Sequence, residues 1–381
     1  MVPVPVRLRP PDGRGRAIVE FVVIGGGLAG AATATHLARA GREVILLERD
    51  RTPAHKVCGE FLGQLACGEL ERFGVDLAAL GAVPIARTRL FAGRAKAEAP
   101  LPFRAAGLSR ATLDPHLRTL AAGVGVDLRT GVRATGVTPG AVEVEGGASI
   151  AADHVIVATG KHEVRGVLRR TVAKAKDSKI GIKEHLRLTG EQCDALGPAV
   201  ELHFIPGGYA GLMPVGAGAA NLSIAMETGV WREHGLTPAS YLDWLRSVSP
   251  SLSLRLDGAT RLFERPLMVS GVPYGFRLWG AKPDLPGIWR VGDQAMVTPS
   301  LTGEGMSLAL GTAKCLADCL LNGASTSDYR AELKRRFGRQ IAVARAFDVV
   351  LQRESLHPPI VGGLAQWPAL LSAGAKWSRG G

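Results

Sequence analysis

Residues 21–30 read FVVIGGGLAG, and this stretch decides the fold. Phe21, Val22, Val23 and Ile24 form an apolar run suited to a strand buried on both faces of a parallel sheet. The run turns directly into Gly25, Gly27 and Gly30 in G-x-G-x-x-G spacing, with Leu28 and Ala29 between the last two. An Ala-rich helix, Ala31 to Ala40, follows and stops at Gly41. In this context Gly25 makes the tight turn, Gly27 admits a pyrophosphate to the backbone, and Gly30 lets the helix approach the strand. The pyrophosphate would sit on the helix N-terminus, where free N–H groups and the dipole favour negative charge. A second apolar strand, Val44 to Leu47, ends in Glu48, 18 residues after Gly30. An acid there is placed to accept hydrogen bonds from a ribose diol, with Arg49 beside it. Strand, glycine loop, helix, strand and acid together predict a dinucleotide-binding α/β unit.

At 381 residues the chain can hold two domains over a large core, and its 46% apolar and 21% charged residues fit a globular protein. The net charge of +12 draws on Arg7, Arg9, Arg14 and Arg16 near the start and on Lys334, Arg335, Arg336, Arg339 and Arg345 late in the chain. No basic stripe is interleaved with aromatics, so nucleic acid is a poor partner. A solvated basic face, with weak peripheral attraction to an anionic inner-membrane face, fits better. The five cysteines include no C-x-x-C pair, which argues against a disulfide framework and for a cytoplasmic location. The Pro/Arg-rich start, Met1 to Arg16, lacks an apolar signal-peptide core and reads as disordered. No run of about 18 apolar residues predicts a membrane span.

Further along, Arg87 to Ala92 and Leu101 to Phe103 read as short strands, Gly107 to Ala122 as an amphipathic helix, and Val126 to Leu128 as a strand. Val132 to Val144 alternates with glycine turns, as a β-meander would, and Ala152 to Gly160 is a further buried strand. From about 171 to 284 the texture becomes that of antiparallel sheet. At Gly287 the first texture returns as strand, acid, Pro/Gly turn and long helix. The fold class is therefore α/β: a Rossmann-like, three-layer dinucleotide domain with a β-meander, plus a smaller, mainly antiparallel substrate domain. The expected division is a tail over 1–16, a discontinuous cofactor domain over 17–84, 105–170 and 285–350, and a substrate domain over 85–104 and 171–284. Residues 351–381, apolar and broken by Pro and Gly, read as a tail or lid.

Three separated stretches resemble one group, the FAD-dependent enzymes that include aromatic hydroxylases of the p-hydroxybenzoate type and geranylgeranyl reductases. They are the glycine loop with Glu48, the segment from Gly292-Asp293 through Pro299 to Gly303-Glu304-Gly305-Met306, and Lys56-Val57-Cys58-Gly59-Glu60. The last is similar to the K-x-C-G-E/G signature of the reductases. The resemblance implies FAD as cofactor, with Asp293 at the ribityl and diphosphate region, Pro299, Gly303, Gly305 and Met306 against the flavin, and Arg110 on the diphosphate. It also implies NADPH or NADH as a transient reductant, since no second G-x-G-x-x-G is present. Lys56, Val132 and Gly160 complete the candidate cofactor set, and Cys58, Glu60 and Tyr209 are the candidate catalytic residues. Glu60 is considered as a proton donor, Lys161-His162 as a gate for NAD(P)H, and Tyr209, Leu212 and Met213 as one wall of an apolar pocket.

Two departures matter. The hydroxylases' Asp-Gly pair is Thr159-Gly160 here, and the reductases' Y-x-W-x-F-P-like run is Tyr209-Ala210-Gly211-Leu212-Met213-Pro214. The expected activity is NAD(P)H-dependent hydroxylation of a hydrophobic phenolic or polyketide-like substrate. Reduction of isoprenoid C=C bonds is the alternative, and a non-catalytic FAD-binding sensor or peripheral membrane factor is the alternative of another class. No metal site is expected.

Overall fold

The computed structural model describes residues 18–169 and 179–379, so the expected disordered tail over 1–16 lies outside the described residues. The strand Val19–Ile24 is central to a seven-stranded sheet and pairs in parallel with Val44–Glu48 on one side and Ser149–Val157 on the other. Its continuous apolar run follows from burial on both faces. Phe21 and Val23 join a core formed with the helices Leu28–Arg39, Arg110–Gly123 and Gly305–Leu321. Val22 and Ile24 point the other way, onto Val137 and Val142 of the antiparallel meander strands Ala134–Thr138 and Ala141–Val144. The long strand Ser149–Val157 joins the layers. Its start pairs antiparallel with the meander and its end in parallel with Val19–Ile24 and Ile288–Arg290.

A second, eight-stranded sheet takes strands from 87–100 and 179–270. Every pair is antiparallel except Arg87–Ala92 with Ala199–Ile205. Two expected elements shift. The strand after Arg87–Ala92 is Ala95–Pro100, not Leu101 to Phe103. Ala97 and Ala99 are buried and Lys96 and Glu98 point out, a period of two hidden by weak strand formers. The helix expected from Gly107 begins at Arg110, because Ala106–Gly107 pairs with Phe61–Leu62 and Val83–Pro84, and Ser109 Oγ caps the Ala111 N–H.

The chain ends in the helices Thr326–Leu351, His357–Gln366 and Pro368–Trp377. Val361, Leu364 and Leu371 pack on Leu90, Ala92 and Ala97 of the second sheet, and Ser372 Oγ donates to Pro100 O at 2.8 Å. Arg379 lies 3.9 Å from the Phe103 ring centroid and forms a 2.9 Å ion pair with the buried Glu304. Among the described residues no helix is long and apolar enough to cross a membrane.

Candidate active site

The glycine loop separates into positions closed by the fold and positions left open. A Cβ on Gly25 (φ 106°) would meet Ala158 O at 2.6 Å, and one on Gly30 would lie 1.8 Å from Gly25 O. A Cβ on Gly27 would meet nothing nearer than Arg110 Nη2 at 3.4 Å. The helix Leu28–Arg39 starts with no side-chain cap and no acid in its first turn, so its N–H groups face this opening without a partner carboxylate. Glu48 is fixed from both sides, with Oε2 accepting from Gly26 N at 2.9 Å and Oε1 from Asp50 N at 2.9 Å. Each oxygen keeps a further lone pair for a ribose hydroxyl. Val132 N donates to Glu48 O at 3.0 Å and so lies beside it. Arg118, which the sequence reading passed over, donates from Nη1 to Gly26 O at 3.3 Å.

Arg110 stands over the loop in a forked ion pair with Asp114, at 2.5 and 2.7 Å. Burial disfavours its charge, but Asp114 more than offsets that and holds its pKa above the usual arginine value. Lys56 is paired with Asp50, as is Arg49 at 3.6 Å. Their charges are engaged at the loop edge, and neither residue lines the cavity described below. These geometries predict a split between two similar substitutions. Gly27→Ala should keep the thermal midpoint within a few degrees while emptying most of the flavin. Gly30→Ala should cost at least about 2 kcal/mol of stability, because the new methyl meets backbone that cannot yield. Thermal denaturation and flavin absorbance of both variants check the pair.

The second cofactor stretch converges on the same opening. A Cβ on Gly292 (φ 60°) would meet Ala29 Cβ at 2.9 Å, so glycine lets this turn close on the first helix. The Asp293 carboxylate is partly exposed, 3.5 Å from Lys161 Nζ, and Lys161 also donates to Val57 O at 3.2 Å. Lys161 thereby ties Asp293 to the Lys56–Glu60 segment. Burial works against its charge, but Asp293 and Cys58 raise its pKa overall. His162 Nε2 lies 2.9 Å from Arg49 Nη2, at the loop edge. Gly160 (φ 61°) is clear on its Cβ side, and its carbonyl accepts from Gln294 Nε2 at 2.9 Å. The turn Ser300–Thr302 follows Pro299 and ends at Gly303 (φ 69°). The helix Gly305–Leu321 again starts without a side-chain cap or first-turn acid, and nothing lies within 4 Å of a Cβ on Gly305. Two bare helix N-termini, open glycines and a carboxylate on one cleft fit a dianionic dinucleotide such as FAD.

The Cys58 segment forms the floor between this cleft and the second sheet. Cys58 is half-buried, its Sγ accepts from Glu60 N at 3.3 Å, and the Arg110 guanidinium reaches the same sulfur. Asn221 Nδ2 holds Cys58 O at 3.1 Å. Glu60 takes φ 59°, a region glycine enters freely, which explains the Glu/Gly alternation at this place in the reductase signature. Its buried carboxylate accepts from Lys183 Nζ, His185 Nε2 (2.6 Å), Arg110 N (2.7 Å) and Ser109 Oγ (3.3 Å). Burial raises its pKa, but the His185 bond and the Lys183 charge outweigh burial and leave it lowered. The lowered pKa favours the carboxylate form of Glu60, which was expected as a proton donor. Glu60 is the acceptor for Lys183 Nζ, Arg110 N and Ser109 Oγ, with His185 Nε2 in contact with its other oxygen. Neither partner was singled out from sequence, since Lys183 and His185 look like alternate polar positions of an ordinary strand. The His55, Glu60 and His185 ligand atoms also lie within 4.8 Å of one another. The Lys183 ammonium already compensates Glu60 there, so the grouping reads as a proton network.

Between the cleft, the second sheet and the C-terminal helices lies an apolar cavity of about 530 Å³. Cys58, Lys161, Asp293, Gly305 and Met306 line its cofactor end, and Leu90, Phe204, Leu364 and Leu371 its far end. Tyr209, Gly211 and Met213 face it, whereas Leu212, expected in the same wall, points into the core with Leu186 and Leu222. Strand alternation forces this, because neighbours in sequence face opposite sides. Tyr209 hydrogen-bonds Ser300, and burial raises its pKa, so the hydroxyl keeps its proton.

A Rossmann-like sheet, a glycine cradle with two convergent helix N-termini, and an adjoining apolar cavity define a flavoprotein oxidoreductase. Residues 20–108 match the family described as FAD dependent oxidoreductase. The chain is 27% identical over 367 residues to the Menaquinone reductase of Mycolicibacterium smegmatis, covering 87% of this chain and 84% of that one. It is 25% identical over 340 residues to the Digeranylgeranylglycerophospholipid reductase of Thermoplasma acidophilum, covering 84% and 83%. Among solved structures, the flavin-dependent brominase Bmp2 superposes with a TM-score of 0.76 at 16% identity, over 95% of this chain and 93% of that one. That likeness shows the fold alone.

Proposed function

We propose that this oxidoreductase reduces a C=C bond in the isoprenoid chain of a lipid, with a prenylated quinone or prenyl glycerolipid as the substrate class. The observation that carries the reading is the Cys58–Gly59–Glu60 turn, which borders both the cofactor cleft and the apolar cavity. The reductase names of relatives that match along most of the chain support it over the expected hydroxylation. Alkene reduction adds a hydride to one carbon and a proton to the other as the π bond breaks. When bound, the reduced cofactor supplies the hydride, and NADPH or NADH restores it. Asp293 and the first turns of both uncapped helices hold the dinucleotide, and the cavity excludes water from the alkene. The Cys58 S–H gives the proton to the second carbon, and the Lys183–Glu60–His185 network restores it to sulfur. Tyr209, Gly211 and Met213 orient the chain along the sheet.

The test is anaerobic reduction with NADPH, then addition of a menaquinone-type prenyl quinone, then air. Air returns a reduced quinone ring to its starting mass but leaves a saturated chain two hydrogens heavier. A product with persistent added hydrogen supports the reading. Reversal by air alone would make the ring the target, and oxygen-dependent hydroxylation of a supplied phenol would restore the monooxygenase expectation. Cys58→Ala should lower turnover by about 10²- to 10⁴-fold, the range for a lost general acid, with flavin content unchanged.

A further inference from the structure

Twelve large apolar residues are exposed among the described residues, and seven of them fall in the last stretch: Val349, Val350, Leu356, Ile360, Trp367, Leu370 and Trp377. Trp367, Leu370 and Trp377 are 64%, 57% and 58% exposed, values unusual for such side chains on a surface that binds nothing. Leu370 and Trp377 stand seven residues apart and so share one side of the helix Pro368–Trp377, with Trp367 at its N-terminal end. Val350, Ile360 and Leu370 also line the apolar cavity, so the exposed patch and the cavity are one continuous surface. The cavity mouth opens there.

We infer that this patch docks on a lipid bilayer, with His357–Gln366 and Pro368–Trp377 lying in the interface and the cavity mouth facing the acyl chains. Tryptophan and leucine on the outer face of short helices suit the headgroup boundary, where an apolar body and a polar tip are both satisfied. The flanking charge favours an anionic bilayer. Arg345, Arg353 and Lys376 are exposed on the same helices and their connection, Asp348 is neutralised by Lys179, and the Glu354 carboxylate is turned toward Gly207 N, which leaves an excess of positive charge. A second copy of this chain fits less well, because a two-fold contact would set these like charges against themselves. Docking would let a prenyl chain pass from the bilayer to the cavity without crossing water. That consequence rests on the proposed substrate class, whereas the docking itself does not.

Flotation of the full FAD-loaded chain with phosphatidylcholine vesicles, and with equal parts phosphatidylcholine and phosphatidylglycerol, tests it. The expected result is stronger flotation on the anionic vesicles, weakened by salt, and at least about tenfold weaker for Trp367→Glu/Trp377→Glu, two residues outside the cavity lining. Quenching of wild-type tryptophan fluorescence by bromine-labelled acyl chains should fall in Trp367→Phe/Trp377→Phe. No flotation, flotation indifferent to the double substitution, or a lipid-independent dimer abolished by it would overturn the inference. Turnover distinguishes this from failure of the proposed function. The double variant should keep turnover of a short, water-soluble prenyl substrate and lose it on vesicle-borne substrate. Absence of both activities in the wild type would overturn the function and leave flotation to decide the docking.

Discussion

Glu60→Gln is expected to destabilise the protein by about 3–5 kcal/mol, the range for a buried ion pair that loses one partner. The substitution keeps the shape of the side chain and its strained φ, but leaves the fully buried Lys183 ammonium beside a neutral amide. The pH dependence separates charge from shape. The Glu60 pKa is lowered in the folded state, so its stabilisation is complete above the unfolded carboxylate value, about 4.3, and fades as pH falls through the lower folded value. The gap between wild type and variant should therefore narrow only in strong acid. Burial lowers the Lys183 pKa even against Glu60, so without its partner it should release its proton still more easily. The variant should then recover relative to the wild type as pH rises toward 9–10. Chemical denaturation across pH checks both limbs. Glu60→Gln/Lys183→Met should regain most of the loss, and a double variant no more stable than the single one would show that the ion pair is not the cause.

Asp293→Ala is expected to weaken flavin retention by about 10- to 100-fold while leaving the fold intact, as loss of a charged hydrogen-bonding group warrants. The backbone at this position does not depend on its side chain. Arg169 Nη1 donates to Asp293 O at 2.9 Å and is itself held by Glu163 at 2.6 Å, while Gly292 N donates to Thr312 Oγ1 at 2.8 Å. The Lys161 ion pair lost in the variant is long, at 3.5 Å, and partly exposed, and contributes about 1 kcal/mol. Equilibrium dialysis against FAD with circular dichroism of the apoprotein measures both quantities. Full flavin occupancy in a folded Asp293→Ala protein would remove this residue from the cofactor site.

The cofactor half of the molecule was legible because its signals are local. An apolar run, three spaced glycines and a terminal acid sit within 28 residues, Phe21 to Glu48, and each is required by short-range geometry. The buried Glu60 cluster was not legible, because its members meet only through the tertiary fold. Glu60 and Lys183 are separated by 123 positions, and nothing in KIGIKEHLR announces that Lys183 and His185 turn inward. Arg118 escaped for the same reason, and Lys161, considered only as a nucleotide gate, gave no sign of its bond to Val57 O far away in sequence. Where the reading grouped residues of one strand as one wall, as at Tyr209, Leu212 and Met213, the pleat of the strand turned Leu212 away from the other two. Ala95–Pro100 was missed because its residues are weak strand formers stabilised by a neighbouring strand and two helices rather than by their own preference.

The contact between Arg379 and Glu304 has a practical consequence for anyone handling the protein. Arg379 grips Thr302 O at 3.3 Å and Glu304 at the turn that opens the helix Gly305–Leu321, so the segment after Pro368–Trp377 is mechanically joined to the candidate cofactor cleft. A cut before Arg379 would leave the Glu304 carboxylate buried without its counter-ion. Such a cut is expected to loosen the turn that opens the helix Gly305–Leu321, and flavin absorbance of the shortened protein measures it.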